Sequence, residues 1–207
     1  SISTRTGNGT TGATFGHGLG VKPDLIFNKE RGNTVGAWNV YHKDLAATKS
    51  IELQVNGAAY TSTTIWNDTE PTTSVITLGS NPDMNASGKT FVTYCWHSVE
   101  GYSKIGSYIG NGSTDGTFVY CGFRPAYVLI KKTTGASFWT IFDNKRGPFN
   151  VDGNVLAADD TYAEASFTNS LFYQDRLATG FKLRTTGGEV NTSAQTYIYM
   201  AFAEMPV

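Results

Sequence analysis

Short runs of β-branched and aromatic residues recur about every ten residues along this chain, each bounded by Gly, Asn, Asp or Pro. Almost no stretch places apolar residues at helical spacing. The pattern predicts an all-β protein, with strands at 14–17, 24–28, 38–41, 51–55, 75–78 and 91–97 in the first half. In the second half they are expected at 118–120, 127–131, 139–142, 154–156, 180–183 and 197–203. The longest runs, Phe91-Val92-Thr93-Tyr94-Cys95-Trp96 and Tyr197-Ile198-Tyr199-Met200-Ala201-Phe202, are apolar at successive positions. They read as central strands covered on both faces, or as strands at an interface. One segment, 159–167, suggests one or two turns of helix.

The two halves repeat. Six of nine residues match when Gly7-Asn8-Gly9-Thr10-Thr11-Gly12-Ala13-Thr14-Phe15 is laid over Gly110-Asn111-Gly112-Ser113-Thr114-Asp115-Gly116-Thr117-Phe118. The register continues from Lys22-Pro23 to Arg124-Pro125, from Trp38 to Trp139, and from Asn85-Ala86-Ser87 to Asn191-Thr192-Ser193. Two homologous β units are therefore expected, over 1–103 and 104–207. Both prolines stand just before a strand, where the missing N–H costs no ladder bond. Residues 98–104 contain no flexible spacer, so a compact arrangement is expected: either two six-stranded sandwiches or one larger pseudo-twofold sandwich or jelly roll. A residue shared by both copies is more simply explained by the fold than by a single site.

Composition narrows the partners. The chain has 207 residues, 40% of them hydrophobic, and a formal net charge of −1 from 16 basic and 17 acidic residues. Such a balance supplies no electrostatic footprint for a nucleic acid or an anionic membrane. No apolar run approaches the roughly 20 residues of a membrane-spanning helix, and residues 1–15 lack the features of a signal peptide. The two cysteines, Cys95 and Cys121, stand at non-equivalent places in the repeat and are expected to be buried thiols. Five Asn-x-Ser/Thr sequons mark loops before they mark glycans.

A search for chemistry returns little. His17, His42 and His97 do not fall at metal-ligand spacing, and the loop around Asp115 lacks the acidic pattern of a calcium site. Gly7-Asn8-Gly9-Thr10-Thr11-Gly12 has the letters of a dinucleotide-binding loop but follows no strand and opens no helix. The acids are scattered over loops with no evident pair for glycoside hydrolysis, and no nucleophile elbow occurs. No catalytic residue, metal or cofactor is expected. What remains is aromatic and amide-rich loop sequence: Trp66-Asn67-Asp68 in the first unit and, over it, Phe172-Tyr173-Gln174-Asp175-Arg176 in the second. Aromatic rings stack on the apolar faces of sugars while Asn, Asp and Arg bond hydroxyls. Trp66, Asn67, Asp68, Tyr173, Asp175 and Arg176 are thus the candidate ligand-binding residues; the competing reading is that Trp66 and Phe172 plug the core beneath a loop. Trp38 and Trp139 read as core.

The combination of Gly18-Leu19-Gly20-Val21-Lys22-Pro23-Asp24-Leu25-Ile26, Trp38-Asn39-Val40-Tyr41-His42 and Pro71-Thr72-Thr73-Ser74-Val75-Ile76-Thr77-Leu78-Gly79 resembles a repeat of tail-fibre and related virion proteins of tailed bacteriophages, many from marine and cyanobacterial hosts. The stretch from Glu100 to Gly116, the run from Gly122 to Lys131 and the ending from Tyr197 to Glu204 are similar to it as well, so the resemblance covers nearly the whole chain. It implies a non-enzymatic virion surface protein, a tail-fibre or spike module for host attachment. It also implies partnership with copies of itself, commonly as trimers, and with other virion proteins, with a host-surface glycan as the ligand class. A capsid decoration protein is the alternative, and a glycan depolymerase a third reading. Neither nucleic acid nor membrane insertion is expected.

Overall fold

The computed structural model describes residues 1–32, 34–164 and 171–204. The chain is almost all β and divides into two units: Ser1–Gln54 with Ala59–His97, and Val55–Ala58 with the chain from Ser98 onward. The boundary thus falls six residues before the one the repeat suggested. Ser98 bonds the Ile105 N–H through its hydroxyl at 3.0 Å, and Val99 bridges Ser103. The segment Val55–Ala58 belongs to the second unit because the Asn56 carbonyl accepts from the Lys131 ammonium at 2.8 Å and from the Ser137 N–H at 2.9 Å.

In the first unit the strands are Ile2–Thr6 (β1), Thr14–Gly16 (β2), Leu25–Glu30 (β3), Asn39–His42 (β4), Lys49–Glu52 (β5), Tyr60–Thr61 (β6), Val75–Thr77 (β7) and Thr90–Trp96 (β8). An antiparallel sheet in the order β1-β8-β3-β4-β5-β6 is accompanied by the β2-β7 pair. Period-two alternation decides which side chains meet: Ile26, Tyr41 and Cys95 from the large sheet pack with Ile76 and Phe15 of the small one. Two single helical turns, Thr63–Trp66 (α1) and Pro82–Asn85 (α2), add Ile65, Trp66 and Met84 to that core. Their start signals are readable: Ser62 caps the Thr64 N–H, and Asn81 caps Asp83 ahead of a proline in the first turn.

The second unit contains Ser103–Ile109 (β9), Phe118–Tyr120 (β10), Pro125–Lys132 (β11), Thr140–Asp143 (β12), Val155–Ala157 (β13), Gln174–Leu177 (β14), Gly180–Leu183 (β15) and Thr196–Ala203 (β16). Its large sheet runs β9-β16-β11-β12-β13 and its small sheet β10-β15-β14. Taken strand by strand, the large sheet has the order of the first unit's sheet without β6. Tyr197 through Ala201 are buried in unbroken succession, so the central strand β16 is covered on both faces, as its apolar run implied. Of the segment 159–167, residues 159–164 form no α-helix, and 165–167 lie outside the described residues.

The Gly-Asn-Gly motif shared by the halves has a structural use. In the first unit Asn85 donates to Asn8 Oδ1 at 2.8 Å and to the Thr10 carbonyl at 3.0 Å, while its Oδ1 accepts the Asn8 N–H at 3.1 Å. In the second, Asn191 donates to Asn111 Oδ1 at 3.0 Å and to the Ser113 carbonyl at 2.9 Å, and accepts the Asn111 N–H at 3.1 Å. Glycine opens each clasp, since a Cβ on Gly7 or Gly110 would lie 2.2 or 2.3 Å from the carbonyl oxygen of Ala86 or Thr192. Asn85 and Asn191 are buried, and these sequon amides are engaged by the fold. Removing an amide of this kind deletes at least three hydrogen bonds made by a buried side chain, so Asn85→Ala and Asn191→Ala are each expected to cost about 2–3 kcal/mol in urea unfolding.

Cys95 and Cys121 are free and buried. Burial pushes the Cys95 thiol up to about 11 and the Cys121 thiol up to about 12. Lys131, fully buried 5.9 Å from the Trp139 ring centre, is pushed down by desolvation to about 8. The two effects oppose each other. An unfolded thiol ionises near pH 8.5, so above that the native state holds protons the unfolded chain has lost and stability falls. Between about pH 8 and the ordinary lysine range the unfolded chain holds the proton that native Lys131 has released, and stability rises. The thiol shifts together are larger, so thermal melts in reductant are expected to be nearly level between pH 8 and 9 and to drop steeply above pH 10. Replacing both cysteines by alanine should turn the level stretch into a rise and make the drop above pH 10 shallower without abolishing it, because burial also raises the hydroxyls of Tyr41, Tyr60, Tyr108 and Tyr127.

Candidate functional site

The feature that distinguishes the second unit is a loop. Six residues, 43–48, join β4 to β5, whereas eleven, 144–154, join β12 to β13. By the argument that shared residues serve the fold, the extra length is where a function would be placed.

The loop is held at many points. Asp143 accepts the N–H groups of Lys145 and Arg146 at 3.0 and 2.8 Å and pairs with the Arg146 guanidinium at 2.5 Å. Arg146 reaches Glu164 at 3.4 Å, and its carbonyl takes a bond from the Asn154 amide at 3.0 Å. Asn150 bonds the backbone of Arg176 in both directions, at 2.9 and 3.0 Å. The main chain of Asp152 pairs with that of Gln174 at 2.8 and 2.9 Å. Anchored so, the loop encloses a cleft of about 320 Å³ between itself and Tyr173.

Two glycines shape the cleft by what they lack. A Cβ on Gly147 would lie 1.8 Å from Asp152 Oδ1, and one on Gly153 would lie 2.4 Å from the Tyr173 ring. The carboxylate and the ring therefore pack directly on backbone. Pro148, Phe149 and Val151 supply the apolar wall, and Phe149 is 81% exposed. Among the described residues Asp152 is the sole charged side chain lining the cleft. Its Oδ1 accepts the Asn154 N–H at 3.1 Å, and its Oδ2 pairs with Arg176, both side chains being essentially inaccessible. Burial pushes the Asp152 carboxyl up, against the pull of Arg176. Behind the pair the side-chain amide of Gln174 and Nε and Nη2 of Arg176 are buried without a hydrogen-bond partner.

The residues expected to contact ligand fall in different places. Trp66 is not an exposed stacking face: at 1% exposure it fills the first core and meets Tyr41 edge-on with 5.9 Å between ring centres. A ring of that size gains more from burial than from a loop position. Asn67 ends α1 in the left-handed conformation, and Asp68 follows it, exposed. Phe172 is buried like Trp66. Tyr173 lines the cleft. Asp175 is bonded to Arg184 at 2.5 Å, and Arg176 stands behind Asp152, so both act on the structure of the site and not on its surface. Trp139 is core at 2% exposure, whereas Trp38 is half-buried and stacked on Tyr94. Sequence reading missed Phe149, Val151, Asp152 and Asn154. The available signal was the unequal length of corresponding loops, together with a Phe and a Val set among Gly, Pro and Asn.

A family model described as a domain of unknown function (DUF7483) matches residues 1–206. The chain belongs to that family. The match takes in both units, so the cleft and the two Asn clasps lie within it. No curated protein and no solved structure matches the chain.

Proposed function

We propose that this family member is a non-enzymatic recognition module on the surface of a tailed-bacteriophage virion, where it attaches the particle to its host. The sequence resemblance gives the biological setting. The cleft is the observation that carries recognition: it is built by a loop extension on one unit only, and it combines an exposed aromatic wall with a few fixed polar groups. Its chemistry favours binding over catalysis. Hydrolysis of a glycoside needs two carboxyl groups across the scissile bond, and the cleft offers Asp152 alone, already committed to Arg176.

Antibody labelling of intact particles, paired with adsorption in the presence of the purified chain, tests this reading. Label on fibres or spikes, with adsorption reduced by the free chain, is the expected result. Label over the capsid with adsorption unchanged would assign the chain to capsid decoration. Self-association follows from the same resemblance, and light scattering of the purified chain is expected to report a trimer.

A further inference from the structure

In the cleft on the 144–154 loop shape, exposure and polar chemistry together point to a ligand, and we infer that it takes an uncharged sugar residue. The inference rests on the recognition reading above and names the ligand class for the same site.

Charge comes first. Asp152 is the only charged side chain among the described residues of the lining, and it is paired with Arg176, both side chains being withdrawn from solvent. The pair sums to zero. Neither charge is open to a ligand, so an acidic or basic group would lose its hydration in the cleft without an exposed counter-charge to replace it. A neutral ligand is the one that this arrangement does not oppose.

Surface chemistry narrows the class. Phe149, Pro148 and Val151 form an apolar side, with Phe149 and Val151 81% and 52% exposed. Tyr173, fixed at its ring edge by Gly153, faces the same space. Polar capacity lies in Asn154 and Tyr173, both partly exposed on the lining, while the Asp152 carboxylate is withdrawn behind the surface. A pyranose ring has matching chemistry: C–H groups on one face for the aromatic wall and hydroxyls around its rim for acceptors and donors. Volume sets the length. About 320 Å³ stands at the low end for small-molecule sites, enough for one or two sugar residues with the rest of a chain continuing into solvent.

Backbone NMR of the full chain, titrated with the methyl glycosides of glucose, galactose and mannose and with glucuronate and glucosamine as charged counterparts, tests the inference. At least one neutral glycoside is expected to shift Gly147, Gly153 and Asn154 with millimolar affinity, and the charged sugars to bind about tenfold more weakly or not at all. Phe149→Ala, at an exposed position that the fold does not need, is expected to weaken the neutral glycoside about fivefold; Tyr173→Phe, which keeps the ring, should weaken it less. Equal or tighter binding of a charged sugar, no shift at these residues with any neutral glycoside at 0.1 M or about that, or unchanged affinity in Phe149→Ala would each overturn it. The two readings fail separately. A Phe149→Ala chain that loses sugar binding yet still competes for adsorption keeps host attachment and removes this cleft from it. Sugar binding intact in a chain that never competes keeps the site and removes attachment.

Discussion

Replacing Arg176 with methionine is expected to destabilise the second unit by about 3–5 kcal/mol, because it leaves the Asp152 carboxylate buried without its counter-charge. Both side chains are essentially inaccessible, so water cannot substitute. The effect should be local at first: Asp152 and Gln174 exchange main-chain bonds, and Asn150 clasps the Arg176 backbone, so loosening the pair frees β14 and the cleft loop together. Hydrogen exchange at Asp152, Gln174 and Arg176, read alongside urea unfolding, measures this. The double change Arg176→Met with Asp152→Asn removes both charges and should recover most of the loss, since a neutral pair of similar volume carries no uncompensated charge. A single variant within about 1 kcal/mol of the parent would mean that the pair behaves as a surface ion pair, and that the floor of the cleft is wetter than its burial indicates.

The second large effect is expected in the first unit. Arg5 projects from the edge strand β1 between two rings, with its guanidinium carbon 4.6 Å from the centre of Phe15 and 4.3 Å from that of Phe91. One nitrogen also reaches the Met84 carbonyl at 2.6 Å and Asn28 Oδ1 at 3.0 Å, and burial pushes the group down to about 10. Arg5→Ala deletes two cation–π contacts and two hydrogen bonds at once and is expected to cost about 3 kcal/mol. Arg5→Lys should recover less than half, because an ammonium is a point charge that cannot lie flat between rings. Thermal melts of the two variants decide it; a lysine variant as stable as the parent would show that charge and not planarity fills the slot. The second unit offers an independent comparison. Arg5 pairs across the sheet with Phe91, and Tyr108 pairs with Tyr197. Tyr108 stacks on Tyr197 with ring centres 5.0 Å apart and planes within 10°. Two different flat groups thus cover an aromatic at the same place in each sheet.

Most of the strands were legible because their signal is local. Where alternate residues enter a core and Gly, Asn or Pro ends the run, as at β3, β8, β11 and β16, the pattern is written into neighbouring positions. The strands that escaped notice are those whose stability comes from elsewhere in the chain. β1 and β9 lie at sheet edges and show little apolar alternation: β1 projects Ser3 and Arg5 toward the core side, and β9 is interrupted by a glycine against the Tyr199 ring. β14, Gln174-Asp175-Arg176-Leu177, reads as a polar loop, and it is a buried strand only because Asp152 and Arg184 neutralise it.

The same division holds for the candidate site. Aromatic and amide-rich segments could be found by inspection, but exposure could not: Trp66 and Tyr173 look alike in sequence, and one is core while the other lines a cleft. That difference depends on which neighbours fold back over each ring, a quantity set by contacts distant along the chain. What the amino-acid order determined by itself was the β character, the turn-forming Gly-Asn-Gly motifs and the near-neutral charge, all of which follow from residue type and spacing. Only the tertiary structure decided where the unit boundary falls, which polar residues are buried as pairs, and where a cavity opens, because the 144–154 cleft is the space left between Gly147, Gly153 and a tyrosine twenty residues further on, and no local rule of sequence specifies an empty volume between separated segments.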